Sequence, residues 1–226
     1  MKIRGFARDE LGRLVPPGMT EITYESNFLR GEALPSWLTA TGTVTPAAWG
    51  TGTPGGITVA TDGTVDANAM VSTPTIPQDQ FAAIAFEVKG LKFAGMFSSL
   101  LTFGIHSTST PYGGAHLVQR ETEDWCSFNI PGQGTTEYGR CGYTLRTLGE
   151  SAKYRNLGFM LNCRTRTAWV YEDDPAYPIA TLDVGTSTVQ GGPVLARLRV
   201  QAKNATVQSM RLAGVRLRLW PEPHVG

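Results

Sequence analysis

The histidines and carboxylates are the first residues to test for chemistry. No two of His106, His116 and His224 have the HxH or HExxH spacing that brings metal ligands together. Glu121 and Glu123 lie two residues apart, so a strand would put both on one face, as a retaining glycosidase requires of its two carboxylates. The surrounding residues lack the alternation of acidic and apolar side chains that such a strand needs. We therefore predict no catalytic residue.

A second acidic group, Glu172-Asp173-Asp174-Pro175, has the composition of a turn. Acidic side chains in turns accept hydrogen bonds from nearby backbone N–H groups, and the same oxygens could hold Ca²⁺. We interpret this group as turn chemistry, and we predict no metal site and no cofactor. The sequence also lacks the GxSxG turn of serine hydrolases and the GxxxxGK[ST] loop that cradles phosphates.

Aromatic residues indicate binding better than catalysis. Sugar rings stack on aromatic faces, and polar neighbours can hold the hydroxyl groups of the sugar. The glycine-rich stretch 111–149 combines both kinds of side chain, and its candidate glycan-binding residues are Tyr112, His116, Arg120, Trp125 and Tyr138. The alternative interpretation is that Trp125 packs in the core and that the tyrosines anchor loops.

Composition and charge exclude several classes of protein. The chain has 226 residues, 41% hydrophobic and 17% charged, with 20 Lys+Arg against 19 Asp+Glu. Such a chain can build a core, and its near-neutral balance argues against a dedicated nucleic-acid binder. Charged residues within the first ten positions argue against a signal peptide, and no apolar stretch is long enough to cross a bilayer. We expect a protein made in the cytosol and not inserted in a membrane.

The three cysteines, Cys126, Cys141 and Cys163, make an odd count without CxxC spacing. We interpret them as buried free thiols, which behave as small hydrophobic side chains. A Cys126–Cys141 disulfide is the alternative if the protein finally resides in an oxidising environment.

Short strands recur along the chain, separated by Gly, Pro, Asn and Asp, and helical periodicity is almost absent. Such spacing predicts an all-β fold in which two antiparallel sheets pack face to face. The last strands are predicted at 194–203 and, as one continuous strand, 208–220. The predicted core residues are Trp37, Ile57, Phe81, Phe86, Phe103, Phe159, Trp169 and Leu198.

Charge is distributed unevenly along the sequence. Residues 36–88 contain no Lys or Arg and four acids, whereas residues 185–226 contain six bases and one acid. Four of these bases alternate with apolar residues in the last two strands, which places them on one face of each strand: Arg197, Arg199, Arg216 and Arg218. Each basic face is either a solvated sheet surface or a docking surface for an acidic neighbour.

The segment 28–42, with Phe28, Leu34-Pro35, Trp37 and Gly42, resembles the opening of concanavalin A-like (laminin G-like) jelly-roll domains. The segment 207–217 is similar to the closing strand of these domains. Such domains are frequent in minor tail and virion-surface proteins of tailed bacteriophages of actinobacterial hosts. The resemblance implies a two-sheet jelly-roll β-sandwich over residues 26–226. The turn-forming residues 9–13 and 16–18 indicate that residues 1–25 form an N-terminal docking arm or small hairpin that leads into it.

The resemblance also implies a function. We expect a non-enzymatic virion structural protein on the tail or capsid exterior, assembled in the host cytoplasm, that attaches the particle to a host cell-wall glycan or stabilises it. A glycoside hydrolase on the same scaffold is the main alternative, and a free lectin module is a third. Members of such virion assemblies are commonly trimers or other symmetric oligomers.

Two features of the sequence are candidates for holding such an assembly together. The basic strands of one subunit could meet the acidic surface of another, because complementary charges guide association and orientation. Affinity then has to come from apolar anchors. The arm supplies Phe6, Leu11, Leu14 and Val15. We expect other virion proteins and further copies of the chain as partners, and no nucleic acid.

Overall fold

The computed structural model describes residues 7–8, 14–15, 21–50, 55–94, 99–108, 114–120, 125–130, 134–140, 154–183 and 192–222, and between 114 and 140 it describes the backbone. Within these ranges the regular secondary structure consists of strands and one 3₁₀ turn at Gln78–Gln80. No helix long and apolar enough to cross a membrane occurs in these ranges. The strands are β1 (Ala7–Arg8), β2 (Leu14–Val15), β3 (Ile22–Asn27), β4 (Thr39–Thr41), β5 (Thr43–Ala47), β6 (Gly56–Ala60), β7 (Asn68–Ser72), β8 (Ile76–Pro77), β9 (Phe81–Ala94), β10 (Ser99–Ser107), β11 (Gly114–Arg120), β12 (Trp125–Ile130), β13 (Gly134–Arg140), β14 (Arg155–Asn162), β15 (Thr167–Glu172), β16 (Pro178–Asp183), β17 (Pro193–Ala202), β18 (Ser209–Leu212) and β19 (Gly214–Pro221).

Two antiparallel sheets form the sandwich and confirm the predicted jelly-roll class. Sheet I has the order β13-β12-β11-β10-β17-β7-β4, and β8 pairs with the start of β17. Sheet II has the order β16-β15-β14-β9-β18-β6-β5, while β19 lies between β9 and β3. Strands distant in sequence are therefore neighbours in both sheets, as two-sheet antiparallel folds with crossover connections require.

The core lies between the sheets and follows from period-two alternation. In β17 every second residue is buried, from Val194 to Ala202, while Arg197 and Arg199 point away from the core. The ring of Phe103 contacts the rings of Phe86 and Phe159, with ring centroids 5.8 and 6.5 Å apart, and so joins sheet I to sheet II. The predicted core residues that lie in this core are Ile57, Phe86, Phe103, Phe159 and Leu198, with Trp37 and Phe81 partly buried at its edge.

Trp169 is buried in a different place from the one we predicted. Its neighbours Ala168 and Val170 face sheet I, so alternation turns Trp169 to the outer face of sheet II. A second apolar cluster lies there, made of Ala83, Ala85, Met160, Trp169, Tyr171 and Trp220. Because both faces of β15 are apolar, the sequence pattern did not distinguish the two sides.

The predicted single strand 208–220 is two strands, β18 and β19, separated at Ala213. The partner strand β9 contains Gly90 with φ +59°, and a Cβ on Gly90 would lie 2.5 Å from the Cβ of Ala213. Glycine adopts this left-handed conformation and leaves room for the close approach. The first part of β9 consequently pairs with β19, and its last residues pair with β18.

The N-terminal region contributes a small hairpin and the first strand of sheet II. Strands β1 and β2 pair with each other, Ala7 opposite Val15 and Arg8 opposite Leu14. Phe6 and Leu11 lie outside the described residues. Strand β3 pairs with β19 along its whole length, so the predicted boundary between residues 25 and 26 falls inside a strand of sheet II.

Candidate functional site

A continuous row of cross-strand neighbours runs over all seven consecutive strands of sheet I. Residues directly opposite in antiparallel strands share a face of the sheet. Arg197 lies between the buried residues Ala196 and Leu198, so the row to which it belongs is on the outer face. In spatial order, the row is Thr39, Ser72, Arg197, Gly104, His116, Asn129 and Thr135.

A second row runs beside the first on the same outer face: Thr41, Met70, Arg199, Thr102, Val118, Ser127 and Glu137. Glu137 is the one acidic position in these two rows, and it lies in the edge strand β13. Four strand spacings separate β13 from β17, which amounts to about 19 Å. The centre of the face therefore carries arginines without a carboxylate in the neighbouring strands.

The polar groups at this centre are only partly satisfied. Arg197 is half-buried, and burial together with the adjacent charge of Arg199 lowers the pKa of its guanidinium. Among the described residues, Arg197 forms no ion pair and its side chain donates no hydrogen bond; its Nε is buried. Thr102 in β10 lies opposite Arg199 and is buried, and its hydroxyl is likewise without a described hydrogen-bond partner. By contrast, the hydroxyl groups of Thr39 and Ser72 are 2.9 Å apart and bond to each other.

Backbone register brings three of the five predicted glycan-binding residues to this face. His116 belongs to the first row, and Arg120 lies opposite Leu100 on the same side of the sheet. Trp125 alternates with Ser127 and Asn129 in β12 and thus takes the same face. Tyr138 lies at a bulge of β13, between the residues paired with Ser127 and Cys126. Tyr112 lies outside the described residues.

The sequence pattern assigned the arginines of β17 and β19 to the same role, but the structure places them on opposite faces of the sandwich. Arg197 and Arg199 lie on sheet I, and Arg216 and Arg218 lie on the outer face of sheet II. Arg218 is 2% exposed, so the prediction of a docking role for its side chain is wrong. The reason is its neighbour in β9, Glu87, which binds it within the same chain.

The Glu87 carboxylate organises a buried charge network on sheet II. It accepts hydrogen bonds from the Tyr171 hydroxyl (2.7 Å), Arg216 Nε (2.6 Å) and Arg218 Nη2 (2.9 Å). Burial by itself raises the pKa of Glu87, but Arg218, Tyr171 and Arg216 outweigh burial and hold the pKa below its usual value. Burial and the Glu87 charge raise the pKa of Tyr171. The Arg218 guanidinium also lies over the ring of Trp220, 5.1 Å from its centroid.

Further ion pairs within the chain use charges that we expected to meet between subunits. Lys203 binds Asp66 at 2.8 Å, in addition to the pairs of Glu87 with Arg216 and Arg218. Two acids of the segment 36–88 thus neutralise three bases of the segment 185–226. The register of the strands brings these segments side by side, which reduces the charge available for contacts between subunits.

The acidic turn between β15 and β16 uses its side chains structurally. Asp174 accepts a hydrogen bond from the Ala176 N–H, and Asp173, with φ +61°, accepts one from the Asn156 side chain. Glu172 pairs with Arg155 at 2.8 Å. Among the residues whose side chains are described, no three His, Cys, Asp or Glu side chains are grouped as metal ligands would be.

Two concave regions elsewhere are less suited to a sugar. A cleft of about 250 Å³ at the edge of the sandwich is lined mainly by apolar side chains, including Tyr24, Trp37 and Phe81. The rings of Tyr24 and Trp37 are 5.8 Å apart, and the Trp37 indole N–H donates to Ser26. A smaller cavity of about 120 Å³ lies beside Glu87. The first offers few hydrogen-bonding groups for hydroxyls, and the second is too small for a sugar chain.

Cys163 is a free, half-buried thiol, and burial raises its pKa to about 12. Cys126 lies in β12, where the backbone is described, and Cys141 lies outside the described residues. The alternative of a Cys126–Cys141 disulfide therefore stays a prediction.

Comparison with solved structures supports the jelly-roll fold. The carbohydrate recognition domain of Emp47p matches with a TM-score of 0.59 and 10% identity, covering 86% of this chain and 94% of that domain. Peanut lectin, solved with a nine-residue peptide, matches with a TM-score of 0.56 and 10% identity over 88% and 97% of the two chains. SCLam, a non-specific endo-β-1,3(4)-glucanase from family GH16, matches with a TM-score of 0.57 and 8% identity, covering 95% of this chain and 94% of that enzyme. No family model matches the sequence, and neither does any curated protein.

Proposed function

We propose that this chain binds a glycan without cleaving it, and that the glycan lies across the strands on the outer face of sheet I. The observation that carries the proposal is the continuous polar row from Thr39 to Thr135. Six strand spacings make that row about 29 Å long, which suits an extended oligosaccharide better than a single sugar. Hydroxyl, guanidinium and imidazole groups supply the hydrogen bonds that sugar hydroxyls need.

The composition of the two rows supports binding rather than hydrolysis. Glycosidases flank the scissile bond with two carboxyl groups, about 5–5.5 Å apart in retaining enzymes and about 6.5–9.5 Å apart in inverting ones. The two described rows contain Glu137 as their one acidic position, so they do not supply such a pair. The structural neighbours include both a lectin and a glucanase, which is why the composition of the face has to decide between the two functions.

Affinity electrophoresis tests the proposal: a gel that contains a cell-wall or other polysaccharide retards a protein that binds it. A variant with His116→Ala and Trp125→Ala should lose retardation, whereas Tyr177→Ala should keep it, because Tyr177 is an exposed ring in the turn before β16. Unchanged thermal unfolding shows that the variants are folded. Equal retardation of the His116/Trp125 variant would refute the location. Release of reducing sugars would instead favour the second candidate function, a glycoside hydrolase.

We further propose that the glycan binding attaches a phage particle to its host, with the protein on the tail or capsid exterior. The support is the resemblance of segments 28–42 and 207–217 to virion-surface domains, together with the mixed charges of residues 1–25. Mass spectrometry of purified particles, combined with immunogold labelling, tests this proposal. Absence of the protein from intact particles would refute it.

Self-association through the N-terminal arm belongs to the same proposal. The apolar candidates in the arm are Phe6, Leu11, Leu14 and Val15, and the last two form the short strand β2. Analytical ultracentrifugation should show an oligomer for the full chain and a folded monomer when residues 1–20 are deleted. A monomeric full chain would contradict self-association, and an oligomer without the arm would show that the arm is not the anchor.

A further inference from the structure

We infer that the glycan bound by sheet I is a polyanion, a polysaccharide whose repeating units carry carboxylate or phosphate groups. The inference rests on the proposed function and concerns the class of ligand. It follows from the basic positions on the outer face of sheet I and from Arg197, which binds no carboxylate among the described residues.

Arg197 and Arg199 put two positive charges at the centre of this face. They alternate on β17, so their Cα atoms lie about 6.6–6.8 Å apart on the same side of the strand. Both side chains are half-buried, which reduces the solvation of the charges. Each guanidinium also raises the electrostatic cost of charging the other, and burial together with the Arg199 charge lowers the pKa of Arg197. A bound anion would offset both costs.

The outer face of sheet II shows what neutralised arginines look like in the same molecule. There Arg216 and Arg218 bind Glu87, which lies directly opposite Arg216 in the neighbouring strand. The corresponding neighbours of Arg197 are Ser72 and Gly104, and neither carries a charge. Among the described residues no carboxylate binds Arg197. Its fork of N–H donors is therefore available to a ligand, and it matches a carboxylate or phosphate in geometry.

Further basic positions lie on the same face of sheet I, in the strands that the proposed path of the glycan crosses. By backbone register the outer face also includes Arg120, opposite Leu100, and Arg140, opposite Trp125. In the two described rows of this face, Glu137 is the single acidic position. Gly104 separates Arg197 from His116 in the first row and adds no side chain between them. An anionic polymer could form ion pairs with several of these bases at once, whereas a neutral polymer gains only hydrogen bonds from them.

The decisive experiment compares two ligands that differ only in charge. Polygalacturonate and its fully methyl-esterified form have the same backbone, and esterification removes the carboxylate charge. Poly(glycerol phosphate) is the probe for phosphate. We expect at least one of the two anionic polymers to retain the protein, and the methyl ester to retain it little. Retention by the anionic polymer should weaken as salt is raised from 50 to 500 mM, because salt screens charges.

Arg197→Gln tests the assigned residue, and Arg164→Gln is its matched control. Both variants remove one positive charge, but Arg164 lies in the exposed turn after β14, where it pairs with Glu222. Arg197→Gln should weaken binding about tenfold or more, because a charge-assisted hydrogen bond is lost. Arg197→Lys should fall between the wild type and Arg197→Gln, since it keeps the charge without the fork. Arg164→Gln should bind as the wild type does.

The outcomes separate this inference from the proposed function. Equal binding of the ester and the free acid, or undiminished binding by Arg197→Gln, would refute the anionic ligand while leaving glycan binding intact. Binding of duplex DNA as tightly as the anionic polysaccharides would also refute it, because the face would then be a general polyanion surface. Binding of no polysaccharide, charged or neutral, would refute the proposed function itself. The comparison of ester with free acid does not depend on the folding of any variant.

Discussion

Replacing Glu87 by Gln tests the charge network of sheet II at its centre. The carboxylate accepts bonds from Tyr171, Arg216 and Arg218, and Arg218 is 2% exposed. Gln keeps the shape of Glu but leaves the buried Arg218 charge with the more distant Glu21 carboxylate, 3.9 Å from its Nη1, as its remaining described counter-charge. Removing one partner of a buried ion pair costs about 3–5 kcal/mol. Because the amide oxygen can still accept one bond, we expect a loss of about 3 kcal/mol in the free energy of unfolding.

Thermal unfolding followed by circular dichroism between pH 3 and pH 8 measures this loss. One kcal/mol shifts the melting temperature of a chain of this size by about 2–4 °C, so Glu87→Gln should melt roughly 6–12 °C below the wild type at pH 7. The folded-state pKa of Glu87 lies below the ordinary value of 4.5. Its contribution is therefore complete above about pH 4.5 and is lost as the pH falls through the folded-state pKa. The difference in melting temperature between wild type and variant should narrow accordingly.

Two comparisons make the test specific. Glu222→Gln removes a carboxylate from the solvent-exposed pair with Arg164 and should change the melting temperature little, because exposed pairs contribute about 0–1 kcal/mol. The double variant Glu87→Gln/Arg218→Met should be more stable than Glu87→Gln alone, since it removes a buried charge that has lost its nearest carboxylate. A difference of less than 2 °C at pH 7, or one that stays constant down to pH 3, would refute the reasoning.

Two further predictions concern Gly158 and Cys163. In Gly158→Ala the new Cβ would lie 2.0 Å from a ring carbon of Tyr171, so the ring has to move. We expect the free energy of unfolding, measured by urea denaturation, to fall by about 1–3 kcal/mol. An unchanged urea midpoint would contradict the packing of the ring over Gly158. In a variant whose other two cysteines are serines, Cys163 should react with a thiol reagent at pH 8 far more slowly in the native than in the urea-unfolded protein, because its pKa is about 12. Equal rates would contradict burial of this thiol.

The strand pattern of the sequence predicted the fold class because alternation reports directly which side of a strand is buried. In β17 the alternation of Ala196, Leu198 and Val200 with polar residues predicted both the strand and its buried face. The pattern failed at Trp169, where both sides of the strand are apolar and alternation carries no information. It also failed at Ala213, because the break between β18 and β19 depends on Gly90 in a strand more than a hundred residues earlier.

The candidate site could be predicted only in part for a related reason. Aromatic and polar residues in 111–149 indicated binding, and register places His116, Arg120 and Trp125 on one face. The central strand of that face, β17, comes from a distant part of the chain. Alternation alone could not show that Arg197 joins His116 across Gly104, because sheet order and register are set by contacts between remote segments.

The two Arg-Leu-Arg segments show most clearly what the sequence determined and what tertiary structure decided. Residues 197–199 and 216–218 have the same local pattern, and the sequence alone fixed that each is a strand with its leucine in the core. Only the packed sheets place Glu87 beside Arg216 and Arg218, and uncharged Ser72 and Gly104 beside Arg197. Coulomb attraction acts over a few ångströms, so the charge of a neighbouring strand decides whether an arginine is buried in a structural ion pair or left available to a ligand.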